Sequence, residues 1–415
     1  MRILLANHTS AWSGGEVSLM RLVEALRRDH DLTVACPADG PLTEAVERSD
    51  VRWLRVPEVT CSLRPHPIQT PIGLGQIGAG GIALARAAKR CRAEVIHANT
   101  PRVGLLAAIA RRLGAPPVVV RAHEHLPPSL LGRATRSVIV RSADAVAAVS
   151  DHTADKFNDG LDRPVATRVY NSIDLERFDV DRVRPAGLRE ELGLAPDAAL
   201  LGEIAQITPW KGQDTAIRML AELRRGGLDA HLALVGQVAF GGKGVRFDNH
   251  AFLRELEALV DELDVKGAVH FLGQRNDVPE VVRDLDLSLL PSWEEPFGLV
   301  TIESMALGTP PLVGDVGAGP ELVHDRVTGR LLPPKRPELW AEAARELLED
   351  RALLARLAER GPRAAARFRD EVHGSEMLAL YEDVVAANRL PSARFRRRDE
   401  GAVAQPGHET LARPV

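Results

Sequence analysis

The segment Glu294-Glu295-Pro296-Phe297-Gly298-Leu299-Val300-Thr301-Ile302-Glu303 holds the residues best suited to chemistry. It follows the apolar run Leu287-Ser288-Leu289-Leu290-Pro291, and Leu299 to Leu307 reads as a helix. A strand that passes into a helix through a glycine aims the helix's first amides and the positive end of its dipole at the crevice beyond the strand. A diphosphate suits that position. Glu303, near the first turn, has a dipole reason of its own to be acidic, whereas Glu295, in the loop, has none. Lys211-Gly212 ends another strand, Leu200–Ile207, where a lysine can neutralise phosphate, although a surface lysine would look the same. Gly14-Gly15-Glu16 follows the first strand and opens a helix; its glycines serve either close approach to a ligand or packing. His123-Glu124-His125 ends the strand Pro117–His123, and a histidine there is either a polar ligand contact or an ordinary surface residue. No third His or Cys lies near enough in sequence to make a zinc site. Gly73-Leu74-Gly75-Gln76-Ile77-Gly78 spells a dinucleotide fingerprint, but prolines rather than a strand precede it, so a loop leading into a helix from Gln76 is expected.

The elements that must position these residues alternate. Apolar runs at Arg2–Asn7, Leu32–Pro37, Val51–Val56, Glu94–Asn99, Pro117–His123 and Ala145–Ser150 are separated by helical patterns. The alternation resumes beyond Asp179–Pro196 with Leu200–Ile207, His231–Gly236, Val269–Gly273, Leu287–Pro291, Pro311–Gly314 and Gly329–Leu332. Uninterrupted apolar strands between helices mean parallel sheets covered on both faces, and two such units put a ligand in the cleft between them.

At 415 residues the chain has room for two to three domains of roughly 150 residues. The net charge of −4 and only 16 Phe, Trp and Tyr residues argue against nucleic acid as a partner. Cys36, Cys61 and Cys91 are too few and scattered for a disulfide framework. Neither the N-terminus nor the uncharged stretch Pro65–Ala85, with its prolines and glycines, reads as a signal peptide or a spanning helix, so a cytoplasmic location is expected. Thr60 to Arg141 carries twelve Lys or Arg against Glu94 and Glu124, a local charge of about +10 that suits an anionic substrate or surface.

Residues 1–390 resemble a family-4 retaining glycosyltransferase of the GT-B fold. The features that carry the resemblance come in the family's order: Gly14-Gly15-Glu16, Val95-Ile96-His97-Ala98-Asn99, His123, Asn171-Ser172-Ile173-Asp174, Lys211-Gly212, Glu295-x7-Glu303, Gly317-Ala318-Gly319-Pro320-Glu321 and Thr328-Gly329-Arg330-Leu331-Leu332. The resemblance implies an α/β fold of two doubly wound Rossmann-like domains facing an inter-domain cleft. An acceptor-side domain would span residues 1–178 and a donor-nucleotide domain 179–372, with a helix at 373–390 crossing back to the first domain and a disordered tail at 391–415.

It also implies roles. Lys211 would bind the diphosphate and stabilise the leaving group, Glu295 would contact donor-sugar hydroxyls, and His123 would line the reaction centre; these three are the catalytic candidates. Glu303 would take the ribose hydroxyls, amides of Phe297, Gly298 and Leu299 would hold sugar and phosphate, and Gly15 would let its loop approach the diphosphate. Gly14 and Glu16 fall on the acceptor side, and Gly273-Gln274-Arg275 near the base. The family usually has arginine where this chain has Gln206, and Arg275 is the expected substitute cation.

The implied reaction moves a sugar from a nucleotide-diphosphate-sugar to a glycan, lipid-linked or small-molecule acceptor with retention. No resident cofactor or metal is expected, because no Asp-x-Asp motif lies in a suitable loop. The loop Cys61–Gly81 and the basic span are the candidate acceptor region, with peripheral contact to an anionic membrane surface. A sugar-nucleotide epimerase of the same fold and a degenerate sugar-nucleotide-binding subunit are the alternatives.

Overall fold

The computed structural model describes residues 1–60, 69–127, 129–238 and 246–389. The tail beyond 389, with its basic cluster, and the first part of the expected acceptor loop, 61–68, lie outside these residues.

β1 (Arg2–Ala6), β2 (Asp31–Cys36), β3 (Arg52–Arg55), β4 (Val95–Ala98), β5 (Val118–Ala122), β6 (Ala145–Ala148) and β7 (Ala166–Arg168) form one parallel sheet in the order β3-β2-β1-β4-β5-β6-β7. β8 (Ala199–Ile204), β9 (Ala230–Val235), β10 (Val269–Gly273), β11 (Leu287–Leu290), β12 (Pro311–Gly314) and β13 (Arg330–Leu332) form a second, ordered β10-β9-β8-β11-β12-β13. In each sheet the chain order reverses beside the first strand, between β1 and β4 and between β8 and β11. Such switch points leave a crevice at the strands' carboxyl ends.

The central strands are apolar along their whole length because helices cover both faces: Ile3, Leu4 and Leu5 in β1 and Leu287, Leu289 and Leu290 in β11 are at most 2% exposed. Glu203 departs from this pattern. It lies in β8 at 1% exposure, and neither carboxylate oxygen has a hydrogen-bond partner.

The helix Gln69–Cys91 corrects the expectation of a loop up to Gln76: the glycine-rich segment 73–78 is helical. Pro71 falls in the first turn, where no backbone N–H is needed. Later glycines make a close helix crossing; a Cβ at Gly81 would lie 2.6 Å from Ile109 Cβ, and one at Gly80 2.8 Å from Leu106 Cδ2. β7 was not apparent in the sequence; Asn158 holds it by accepting from the amides of Val165 and Ala166 and donating to Ala166 O.

The C-terminal helix Asp370–Arg389 lies against the first domain. Its Met377, Tyr381, Val384 and Val385 share a core with Leu19, Leu22 and Leu26 of the helix Gly14–Leu26. Gly374 permits the crossing, since a Cβ there would meet Ala25 Cβ at 2.9 Å.

Candidate functional site

Both strand-end crevices open on one cleft. On the second domain's side, Lys211 closes a 3-10 turn, Pro209–Lys211, after β8. Its Nζ donates to Glu295 Oε2 at 2.6 Å and lies 4.2 Å from the centre of the Trp210 ring. Ser292 Oγ donates to the same Oε2 at 3.0 Å. The loop around Glu295 is tightly built. Gly317 has φ 58° and sits where a Cβ would lie 1.9 Å from Glu295 O, the atom that accepts from Ala318 N. Gly298, at φ 92°, caps the helix Leu299–Ala306, and its missing Cβ would lie 3.4 Å from Glu295 Cγ. Glu295 therefore abuts the start of that helix.

Phe297 packs inward, its ring 6.0 Å from those of Tyr170 and Phe368, so only its backbone is available to a ligand. Glu303 is the fifth residue of the helix, just past the first turn, where the dipole accounts for it only weakly. Burial pushes its carboxyl up to about 7, opposed by Arg177. Burial likewise holds Glu203 well above the usual carboxylate range, although nearby Lys211 lowers it. Nothing local in the sequence marked Glu203 as functional; a charge inside an apolar strand was the available signal.

On the first domain's side the predicted residues pack against one another. A Cβ on Gly15 would lie 3.5 Å from the His123 ring. One on Gly14 would lie 3.6 Å from Leu299 Cδ1 in the opposite domain, so the glycine turn faces the helix start across the cleft. Glu16 is 3% exposed, with Asn7 Nδ2 donating to Oε1 at 2.9 Å and Ser13 Oγ to Oε2 at 2.5 Å. Both oxygens expected on the acceptor side are thus committed inside the domain. Burial, reinforced by Arg121, drives the His123 ring well below its usual pKa.

Further contacts bridge the domains beside these faces. Ser150 Oγ donates to Pro296 O at 2.8 Å, and Glu321 accepts from the amides of Asp151 and His152 at 2.8 and 2.9 Å. His125 Nδ1 lies 3.7 Å from Glu294 Oε1.

Gln206 follows β8, and its carbonyl accepts from Gln213 Nε2 at 2.9 Å. Arg275 is held by Asp277 at 2.7 and 2.9 Å and by Glu191 at 2.9 and 3.0 Å. The expected substitute cation is therefore already paired, by a partner far upstream in sequence. Among the described residues no group of three or more His, Cys, Asp or Glu side chains is placed to hold a metal ion. The literal Asp284-Leu285-Asp286 is occupied structurally: Asp284 accepts from Leu188 N, and Asp286 from Arg189 and Leu200 N.

Two Rossmann-like domains with facing strand ends, a lysine–carboxylate pair and a glycine-capped helix define the GT-B class of glycosyltransferase. HepE of Anabaena, solved with UDP and glucose, has this architecture: it superposes with a TM-score of 0.79 at 25% identity over 92% of this chain and 99% of that one. Sucrose-phosphate synthase of Thermosynechococcus elongatus shares the fold, with a TM-score of 0.72 at 22% identity over 93% of this chain and 99% of its own. The family model "Glycosyltransferase Family 4" matches residues 12–177, and "Glycosyl transferases group 1" matches 187–364. A D-inositol 3-phosphate glycosyltransferase of Actinosynnema mirum is 31% identical over 69% of this chain and 72% of its own length. One of Salinispora arenicola is 34% identical over 60% of this chain, which spans just over half, 57%, of that relative's length. The chain belongs to glycosyltransferase family 4.

Proposed function

We propose that the chain transfers a sugar from a nucleotide-diphosphate-sugar to a glycan, lipid-linked or small-molecule acceptor, retaining anomeric configuration and using no metal ion. The observation that carries this is the Lys211–Glu295 pair, which abuts the glycine-capped helix start opposite Gly14. Glycosyl transfer needs positive charge at a departing diphosphate and electron-rich polar groups, without added positive charge, near the oxocarbenium-like centre. Lys211 leaves Glu295 for the diphosphate, and the amides at Gly298 and Leu299 share the charge. The bond between anomeric carbon and diphosphate oxygen breaks. The acceptor oxygen bonds the same face of the carbon, and its proton passes to the departing phosphate oxygen. Glu295, released from Lys211, takes sugar hydroxyls, and ionised Glu303 takes the ribose diol.

HepE has also been solved with UDP-glucose, which makes UDP-glucose the first donor to test. The named activity of the relatives makes a phosphorylated polyol the first acceptor, in keeping with the basic span from Thr60 to Arg141. Exposed Ile72, Leu74 and Ile82 share a helix with exposed Arg86, Lys89 and Arg90, a combination suited to peripheral contact with anionic lipid. Charge reversal at the three basic residues should abolish binding to anionic vesicles, and unchanged binding would refute the contact.

The experiment for the main reading is nucleoside diphosphate release from a panel of nucleotide sugars, with EDTA and candidate acceptors. Release from one donor, accelerated by one acceptor, is expected. Conversion of the donor without any acceptor would favour an epimerase. Donor binding with no turnover would favour a degenerate binding subunit, the reading to which Gln206 in place of arginine lends weight.

A further inference from the structure

A buried chain of hydrogen bonds joins the C-terminal helix to the first domain's face of the cleft. Tyr381 OH and His97 Nδ1 are 2.7 Å apart. His97 Nε2 and His123 Nε2 both contact Asn99 Oδ1, at 3.3 and 3.1 Å. Asn99 Nδ2 donates to Gly15 O and to Asn7 Oδ1, each at 3.2 Å. Tyr381, His97, Asn99 and Asn7 are all at most 1% exposed, so water does not supply alternative partners.

These contacts admit one arrangement of protons. A carbonyl only accepts, so the Asn99 atom at Gly15 O must be the amide nitrogen. Asn7 is oriented independently: its Nδ2 donates to Thr9 O at 2.8 Å and to Glu16 Oε1 at 2.9 Å, leaving Oδ1 as the acceptor. Asn99 Oδ1 therefore faces both rings, and each ring must present an N–H to it. Burial, with Arg121 alongside, keeps both rings neutral, His97 being lowered to about 3. A neutral ring carries one N–H, so His97 Nδ1 is bare and takes its hydrogen bond from the Tyr381 hydroxyl, which burial holds protonated.

We infer that Tyr381 and His97 are positioning residues that hold His123, through Asn99, as the Nε2–H tautomer, with Nδ1 left as a hydrogen-bond acceptor. The inference rests on the transferase reading for its consequence: His123 offers a lone pair to a sugar or acceptor hydroxyl and brings no positive charge towards an oxocarbenium-like centre. Through Asn99 the same chain fixes the Gly15 carbonyl, so the helix that closes the fold at its C-terminus orients two residues of the opposite end of the domain.

The test is long-range proton–nitrogen correlation NMR on the full chain labelled at histidine, with signals assigned through His123→Ala and His97→Gln. Both rings should show the Nε2–H tautomer in the wild-type protein. Tyr381→Phe should give His97 mixed tautomers and lower kcat about tenfold, roughly the worth of one buried hydrogen bond, with donor KM within about twofold. His97→Gln should keep kcat within about threefold of wild type, because its amide can accept from Tyr381 and donate to Asn99. An Nδ1–H tautomer at wild-type His123, or unchanged kcat in Tyr381→Phe, overturns the inference. Should Tyr381→Phe fail to fold, the wild-type spectrum still decides the tautomer. Failure of the wild-type chain to transfer sugar would instead refute the transferase reading, and the spectrum would be unaffected.

Discussion

The two walls of the cleft are built on opposite principles. On the first domain's wall, Asn7, Glu16, Asn99 and His123 are joined by hydrogen bonds, with His123 Nδ1 the acceptor left over. On the second domain's wall, Lys211 and Glu295 pair with one another, while Glu203 lies buried with neither oxygen bonded. The first wall is a scaffold and contributes stability. In the proposed function, the second keeps its charge for a diphosphate and sacrifices stability to do so.

Mutations should separate the two. Lys211→Ala carries the largest expected effect: turnover falls about 100- to 1,000-fold, the usual consequence of removing a group that stabilises developing charge. Nucleoside diphosphate release measures it. Glu16→Ala, on the scaffold wall, leaves Asn7 Nδ2 and Ser13 Oγ without their acceptor and should cost about 2 kcal/mol in urea unfolding, for groups left partly unsatisfied. Equal stability would show that the wall is not the scaffold described.

Glu203→Leu should move the other way, raising stability by about 1–2 kcal/mol because an unpartnered buried carboxyl disappears. The sign of its pH dependence follows from the raised pKa. The folded state binds the Glu203 proton more tightly than the unfolded chain, so wild-type stability falls as pH rises above the ordinary carboxylate range. The advantage of Leu should therefore be greater at pH 8 than at pH 5.

Glu303 supplies the smallest of these effects. With its carboxyl pushed up to about 7, the carboxylate proposed to accept the ribose diol becomes the main form only above that pH. Donor affinity should rise severalfold, up to about tenfold, from pH 6 to pH 8, and Glu303→Gln should flatten the profile. A flat wild-type profile would remove Glu303 from the nucleotide site.

The strands of both sheets except β7 are legible because parallel strands buried on both faces leave unbroken apolar runs, as in Val118–Ala122 and Leu287–Leu290, whereas β7 is three residues, Ala166–Arg168, with polar Thr167 and Arg168. Glycine and proline near residue 71 look like helix breakers in the sequence, because the helix-packing use of Gly80 and Gly81 depends on Leu106 and Ile109. The site's residue types were visible at their strand ends. What each does in the free protein was not, since it depends on distant partners: Lys211 on Glu295, Arg275 on Glu191, and His97 on Tyr381, 284 positions away.

The most direct test of the division between the walls is calorimetric titration of UDP, in EDTA, into the wild-type chain and Lys211→Ala. The account predicts binding to the wild type without metal and a loss of affinity of about thirtyfold or more in the variant, the worth of a charge-assisted contact. Equal affinity in the two proteins, or no binding to the wild type, would contradict the claim that the second wall is the one kept ready for the donor's diphosphate.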